Sequence, residues 1–337
     1  MTPTVIHLVD DTSPGGVTRV LEHMARSPSL GRDHRHETHV VRRGSLSAPR
    51  LQADIIISHL SVSWSNLPMF TALRALNADV PVIHVEHSYT EAFVAGHAVP
   101  RRRFGTLMRV VYAMFDRIVA VSGPQAEWIL RRGFAPRERV STITPCADLG
   151  PFLALAPNLK TSPRVFGLIG RLDTQKGFDL AIRAFCDRAG PDERLLVFGE
   201  GPERGRLEEL ASGDERVCFM GWANNAADAM EACDAVLMPS RWEAFGLVAL
   251  EAQAAGRPIA VSTVDGMAEH IRSGAVAVGA QTADAWGDAI ARLRETTHAD
   301  RVLRGRMRGR AAAEQFERQW LRLFAELTTP VKPAAAA

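Results

Sequence analysis

The sequence predicts an α/β protein built from two doubly wound halves, each around a mostly parallel sheet. Strand-like apolar runs alternate with helical patterns along nearly the whole chain, as repeated βαβ units require. The alternation breaks around 151–163, a stretch rich in Pro, Ala, Asn and Ser, and then restarts. The length, 337 residues, exceeds what one typical core organises and suits two domains.

In the first half, 5–9, 37–41, 54–59, 80–85, 117–121 and 140–144 read as strands, with helices such as 17–26 and 124–132 between them. In the second, the strands are 164–169, 195–198, 217–219, 235–238, 258–261 and 275–278. The last helix is expected over 311–327, where Phe316, Trp320, Leu323, Phe324 and Leu327 recur at helical spacing. The expected domains are 1–157 and 158–310, followed by the helix 311–328 and a disordered tail, 329–337. In open sheets of this kind, ligands bind outside the carboxyl ends of the strands.

Hydrophobic content of 46% and charged content of 23% are those of a soluble globular protein. A net charge of +2 leaves no global nucleic-acid footprint. Cys146, Cys186, Cys218 and Cys233 are far apart, form no C-x-x-C, and read as reduced thiols of a cytoplasmic protein. The first residues lack the basic start and apolar run of a signal peptide. No apolar stretch is long enough to span a bilayer.

The most informative stretch is 240–256. Glu243 and Glu251 bracket a turn at Phe245-Gly246, and the run after Gly246 is made of good helix formers. Glu251 falls among apolar neighbours, where a desolvated carboxylate needs a partner. Gly246 and Leu247 place backbone N–H groups at the helix start, a ready anion site. Together these describe a pocket for a phosphorylated, hydroxyl-rich ligand. A second strand ends at Gly170-Arg171, and Lys176-Gly177 opens a helix. A cation at a helix N-terminus opposes the macrodipole. An intervening anion relieves that cost, and a diphosphate fits. Gly15 and Gly16 follow the first strand and allow close backbone approach. The G-x-G-x-x-G fingerprint is missing there, which argues against a nicotinamide role.

The run Glu243-Ala-Phe-Gly-Leu-x-x-x-Glu251 resembles the Glu-x7-Glu signature of the retaining glycosyltransferases of family four, which have the GT-B fold. The resemblance implies two Rossmann-like domains facing across a cleft, with the last helix crossing back onto the first. It implies that Glu251 grips the ribose of a nucleotide-sugar, that Glu243 contacts the transferred sugar, and that Phe245, Gly246 and Leu247 line the donor. The segment Gly170-Arg171 to Lys176-Gly177 resembles the element whose Arg and Lys hold the donor diphosphate. Gly199-Glu200-Gly201-Pro202 resembles the family's Gly-x-Gly-Pro turn, with Pro202 at the first helical position. Phe219 to Trp222 resembles the strand end that reads the base; Trp222 either stacks on that base or is simply core. Gly15-Gly16 resembles the loop facing donor phosphate and acceptor, and His87 the histidine that contacts the donor sugar. His84 reads as structural.

The resemblance also implies catalysis without a bound metal or other cofactor. The cluster His34, His36 and His39 does not argue otherwise, since His36 and His39 point to opposite faces of a strand. The implied activity is hexose transfer from a nucleoside-diphosphate sugar to a saccharide or lipid-linked saccharide, in cell-surface polysaccharide synthesis. Arg101, Arg102 and Arg103 lead an amphipathic helix whose basic edge could meet the inner face of an anionic membrane, or whose apolar face could simply pack on the sheet. Three departures from the family pattern stand out. Thr144 to Asp148 keeps only the Asp of Asn-Gly-x-Asp, Asp265 replaces a usual second Gly, and the run from Ser273 lacks the usual Gly-Leu-Leu ending. The first two leave acceptor and sugar contacts less defined than donor binding. A nucleotide-sugar epimerase on the same fold, or a non-catalytic nucleotide-sugar-binding partner, stays open.

Overall fold

The apolar runs fold as the alternation dictates. The computed structural model describes residues 2–13, 15–42, 44–97, 100–159, 162–223, 225–295 and 298–328. The expected tail 329–337 lies outside the described residues. The strands of the first half are β1 (Thr4–Val9), β2 (Arg35–Val40), β3 (Ile55–Ser58), β4 (Val82–Glu86), β5 (Arg117–Ala120) and β6 (Val140–Thr142). Those of the second are β7 (Val165–Ile169), β8 (Arg194–Phe198), β9 (Val217–Gly221), β10 (Ala235–Met238), β11 (Ile259–Ser262) and β12 (Val276–Val278). Every expected strand forms.

The first sheet has the order β2-β1-β3-β4-β5-β6 and the second β12-β11-β10-β7-β8-β9, each pairing parallel. Read from its β9 edge, the second sheet has the Rossmann order. Strand order reverses between β1 and β3 in one sheet and between β7 and β10 in the other. At such points successive connections leave towards opposite faces and open a crevice at the carboxyl ends. The chain divides into two units. One holds residues up to Tyr89, 100–147 and those from Glu314; the other holds Thr90–His97 and Asp148–Ala313. The core of the second unit gathers Phe166, Phe178, Phe185, Leu195, Val197 and Trp286, all buried. Each large apolar side chain so buried stabilises the fold by about 1.5–3 kcal/mol.

Three local expectations change. The last helix starts at Ala299, not 311, and runs to Thr328. Its early part is arginine-rich with no plain apolar stripe, yet Ala, Arg, Leu and Met favour helix. Arg306 there anchors it by donating to the Leu155 and Leu153 carbonyls at 2.8 and 2.7 Å. The break at 151–163 contains a short helix, Gly150–Ala154, whose entry is fixed by Gly150 N–H donating to Asp148 Oδ1 at 2.9 Å. Pro202 precedes its helix, which begins at Arg204.

From Glu314 onward the last helix belongs to the first unit. Phe316, Trp320, Leu323 and Phe324 are buried there. Glu317 accepts hydrogen bonds from the Ser27 and Ser29 hydroxyls. The helix Arg101–Tyr112 buries Phe104, Leu107, Met108 and Val111 in the same unit and leaves its three leading arginines exposed. Its apolar face is thus taken up by packing, the plainer of the two readings. No helix among the described residues is long and apolar enough to cross a membrane.

Phe324 is 1% exposed and lies 4.9 Å from the His34 ring, centroid to centroid. Phe324→Ala should destabilise the first unit by about 3–5 kcal/mol, as other buried Phe truncations do. Urea unfolding followed by circular dichroism measures the shift.

Candidate functional site

The reversal between β7 and β10 brings two loops together within the second unit. After β7, Asp173 caps a single 3-10 turn, Thr174–Lys176, by accepting from Lys176 N–H at 3.2 Å. Gly177 follows at φ +64°, and the helix Phe178–Arg188 begins. Only glycine suits that position, because a Cβ would sit 2.2 Å from the Pro239 carbonyl oxygen of the loop after β10. The loops are stitched further. Arg241 N–H donates to the Gln175 carbonyl at 2.7 Å, and Gln175 Nε2 to the Trp242 carbonyl at 3.1 Å. The Arg241 guanidinium grips Asp179 with two bonds of 2.8 Å.

Between these loops Lys176 Nζ donates to Glu243 Oε2 at 2.5 Å, each side chain 14% exposed. Ser240 Oγ lies 3.5 Å from the same oxygen. The expected placement of Lys176 at a helix start is corrected. It ends the 3-10 turn, and the anion balancing its charge is Glu243 of the chain itself. Arg171 does not share that pair. Its side chain is 67% exposed and turns to Asp173 at 3.1 Å and Gln175 at 3.4 Å.

Glu243 is held from behind. Its N–H donates to Asp265 Oδ2 at 3.4 Å, and its carbonyl accepts from Gly266 N–H at 3.1 Å. Asp265 adopts φ +41°, a conformation glycine reaches at no cost, at the position where the sequence departs from a usual Gly. Burial raises its carboxyl, against hydrogen bonds from Thr90 and from the amides of Ala92 and Glu243. The helix Leu247–Ala254 starts from Gly246 with no acidic residue in its first turn, so its N-terminal dipole meets no carboxylate of its own. Glu251, one turn in, is 0% exposed. Phe245 is core: its ring packs 4.9 Å from that of His270 and under the Arg308 guanidinium, and its carbonyl lies 2.9 Å from His270 Nε2. At the ends of β7 and β8, a Cβ on Gly199 (φ +139°) would overlap the Gly170 carbonyl. Trp222, just past β9, is 53% exposed and presents its ring to solvent.

The first unit carries the remaining candidates. Gly15 caps the helix Gly16–Arg26, and both glycines are exposed. Gly15 is extended (φ −168°) and has room for a Cβ, so packing does not require glycine there. His87 follows β4, and its Nε2 meets His59 Nδ1 at 2.9 Å. His84 is buried, with Nε2 3.5 Å from Glu86 Oε2. His36 turns inward onto His7, whereas His39 is exposed.

Three polar groups were given no role by the sequence. Glu86, 2% exposed, accepts from Tyr112 Oη at 2.8 Å and from the amides of Ser88 and Tyr89 at 2.8 and 2.9 Å. Burial alone would raise its carboxyl, but bonds from His84, Tyr89 and Ser88 outweigh it and hold the group below its usual range. Asp265 and the Arg241–Asp179 pair are the others. The departure at Asp265 was the one signal available.

Both halves of the chain match known families. A model described as "Glycosyltransferase Family 4" matches residues 4–150, and one described as "Glycosyl transferases group 1" matches 163–296. A D-inositol 3-phosphate glycosyltransferase of Nocardia farcinica is 31% identical over 268 residues, 70% of this chain and 58% of its own length. One from Geodermatophilus obscurus is 30% identical over 289 residues, 77% of this chain and 63% of its own. The chain thus spans less than two thirds of these relatives. HepE of Anabaena, solved with UDP and glucose, superposes with a TM-score of 0.76 at 16% identity, covering 96% of this chain and 100% of that one. WaaG, a glycosyltransferase involved in lipopolysaccharide biosynthesis, gives 0.67 at 18%, covering 96% and 99%. These likenesses establish the GT-B fold.

Burial acts to raise the Asp179 carboxyl, but hydrogen bonds from Arg241 outweigh it and the group lies below its usual value. Its stabilisation is therefore present above the unfolded carboxylate pKa and is lost as pH falls through the lower folded value. Arg241→Ala should cost about 2–3 kcal/mol, below the range for a fully buried pair because Arg241 is partly exposed. It should also move acid unfolding to higher pH, read by circular dichroism in an acid titration.

Proposed function

We infer that this chain, which belongs to the glycosyltransferases of family four, moves a hexose from a nucleoside-diphosphate sugar to a saccharide or lipid-linked saccharide with retention of configuration. The observation that carries the reading is the Lys176–Glu243 contact at the β7/β10 reversal, beside the helix that bears Glu251. A diphosphate entering there takes Lys176 from Glu243. The released carboxylate then accepts from sugar hydroxyls. Lys176, Arg171 and the amides at Gly246 and Leu247 stabilise charge on the leaving diphosphate, where one well-placed donor can be worth roughly 3 kcal/mol. Glu251 holds the ribose, a charged hydrogen bond of about 1.5–3 kcal/mol. Trp222 offers a face for the base, and the glycines 170 and 199 let the backbone approach it. In the first unit, Gly15 and Gly16 serve phosphate or acceptor, and His87 binds a sugar hydroxyl.

In this mechanism the acceptor hydroxyl attacks the anomeric carbon from the face the diphosphate leaves. The carbon–oxygen bond to the diphosphate breaks as the new glycosidic bond forms. A diphosphate oxygen takes the acceptor's proton. Neither a metal nor another cofactor has a part in these steps. HepE was solved with UDP and glucose, and the named relatives are D-inositol 3-phosphate glycosyltransferases, so uridine-diphosphate glucose as donor and an inositol phosphate as acceptor are the first to test. The exposed Arg101, Arg102 and Arg103 are the edge we assign to an anionic membrane surface bearing a lipid-linked acceptor, in cell-surface polysaccharide synthesis at the cytoplasmic face. Failure to float with anionic vesicles at low salt would remove that assignment.

Lys176→Ala should lower turnover about a hundredfold or more, in line with loss of one charge-stabilising donor. Glu251→Ala should mainly weaken nucleotide binding, by about tenfold to a hundredfold. Calorimetric titration with unchanged nucleotide affinity in Glu251→Ala would sink the ribose role. Proton NMR of the product decides the stereochemistry, and inversion would refute the same-face attack. Turnover of the donor to an epimer without any acceptor would point instead to an isomerase.

A further inference from the structure

Four neighbouring strands of the first sheet each contribute one histidine to a single line. His36 is on β2, His7 on β1, His59 just past β3 and His87 just past β4. The register sets a constant step. Val5 pairs with His36, and His7 is two residues further on. His7 pairs with Ile57, and His59 is again two further on. Ser58 pairs with His84, which sets Val85 opposite His59, and His87 is two further on. A step of two keeps all four side chains on one face of the sheet. The line runs diagonally from under Phe324 of the last helix to the carboxyl edge.

The rings are joined nitrogen to nitrogen. His36 Nδ1 is 2.9 Å from His7 Nε2, His7 Nδ1 is 3.0 Å from His59 Nε2, and His59 Nδ1 is 2.9 Å from His87 Nε2. At each contact the centroids are 5.2–5.3 Å apart and the planes 26° from parallel. A neutral imidazole has one donor and one acceptor nitrogen. Three successive bonds between neutral rings therefore share one sense, and no ring can change tautomer alone.

The buried end selects that sense. Among the described residues His36 Nε2 is buried with no hydrogen bond, and the Leu30 backbone favours the protonated form of the ring, as a carbonyl does. A carbonyl only accepts, so we assign the proton to Nε2, the His36 nitrogen that does not meet His7. His36 Nδ1 then accepts from His7, His7 from His59, and His59 from His87. At the other end, none of the described residues bonds His87 Nδ1, and the ring is partly exposed.

We propose that this four-imidazole row is a positioning device: it fixes His87 as the Nε2–H tautomer and so presents its Nδ1 as an acceptor for a ligand hydroxyl. His36, His7 and His59 are positioning residues acting through His87. The inference rests on the hydroxyl-binding role given to His87 above, and adds that this atom disfavours phosphate and carboxylate oxygens, which cannot donate to it. Burial keeps the row neutral, lowering His7 to about 3 and His36 and His87 to about 4, and His59 too lies well below the usual value. Of the surrounding groups, Glu86 raises His87, whereas His84 lowers His87 and His59, and His34 lowers His36.

Long-range proton–nitrogen correlation spectra of the whole protein labelled with 15N-histidine, at pH 7, read each tautomer directly and need no donor. All four rings should show a single Nε2–H form. His7→Phe keeps a flat ring but cuts the row, so His87 should become a mixture of tautomers. His7→Gln, whose amide both donates and accepts, should restore the single form. His87 as Nδ1–H in the unaltered protein, or unchanged in folded His7→Phe, would overturn the proposal. If His7→Phe does not fold, His36→Phe at the row's end gives the same readout. An intact tautomer pattern in a protein that transfers no sugar would sink the functional reading and leave the row standing.

Discussion

An ammonium and a carboxylate meet where the second sheet reverses its strand order, and most of the local structure serves to keep them there. Either charge, withdrawn from water alone, costs several kcal/mol, so the contact between Lys176 and Glu243 offsets a penalty that both loops would otherwise carry. That requirement couples the ends of β7 and β10. Gly177 lets the two backbones touch, Gln175 bonds across, and Arg241 clamps Asp179 on the following helix. Asp265 then fixes the backbone of Glu243 from the far side. An anion arriving at this place must outbid a carboxylate for Lys176, which favours a ligand of more than one negative charge.

The two units handle buried polarity differently. The second neutralises charge with charge: Lys176 with Glu243, Arg241 with Asp179, Arg294 with Glu193. The first leans on neutral rings. Its histidines on β1 and β2 and just past β3 and β4 satisfy one another in sequence, and burial holds them uncharged. The exception is Glu86, whose carboxyl burial would raise but which His84 and the amides of Tyr89 and Ser88 hold below its usual range, with Tyr112 Oη donating to it as well. Pairing opposite charges tolerates rearrangement when a ligand offers a better partner. A row of directional bonds resists it, since one ring cannot turn without the rest.

Most strands were legible because they are short runs of β-branched and apolar residues set off by turn chemistry; β2, mostly polar and exposed, is the exception. Glu243, Glu251 and Lys176 were legible as residues because they stand in dense local motifs. That Lys176 would close on Glu243 was not, for the two lie 67 positions apart and meet only through strand order. The histidine row had no local signature at all. His36 and His7 are 29 positions apart, and His7 and His59 are 52 apart. Only the pairing register aligns them. The start of the last helix was hidden for another reason: 299–310 is anchored by Arg306 to two backbone carbonyls, not by an apolar stripe. The segment Thr90–His97 joins the second unit through Ala92 on Asp265 and Phe93 on Trp242, contacts that no reading of chain order reveals.

The bond from Ser27 to Glu317 spans 290 positions. A ribosome emits Ser27 long before the partner that will satisfy it. The nascent first sheet must therefore wait, with the seat for Phe316, Trp320 and Phe324 uncovered, until those residues have been made. Contacts so distant in sequence form late and leave sticky intermediates behind them. The growing chain thus exposes an aromatic-sized vacancy to chaperones until the last helix is made, and premature termination anywhere before residue 316 would yield a product with that vacancy left open for good.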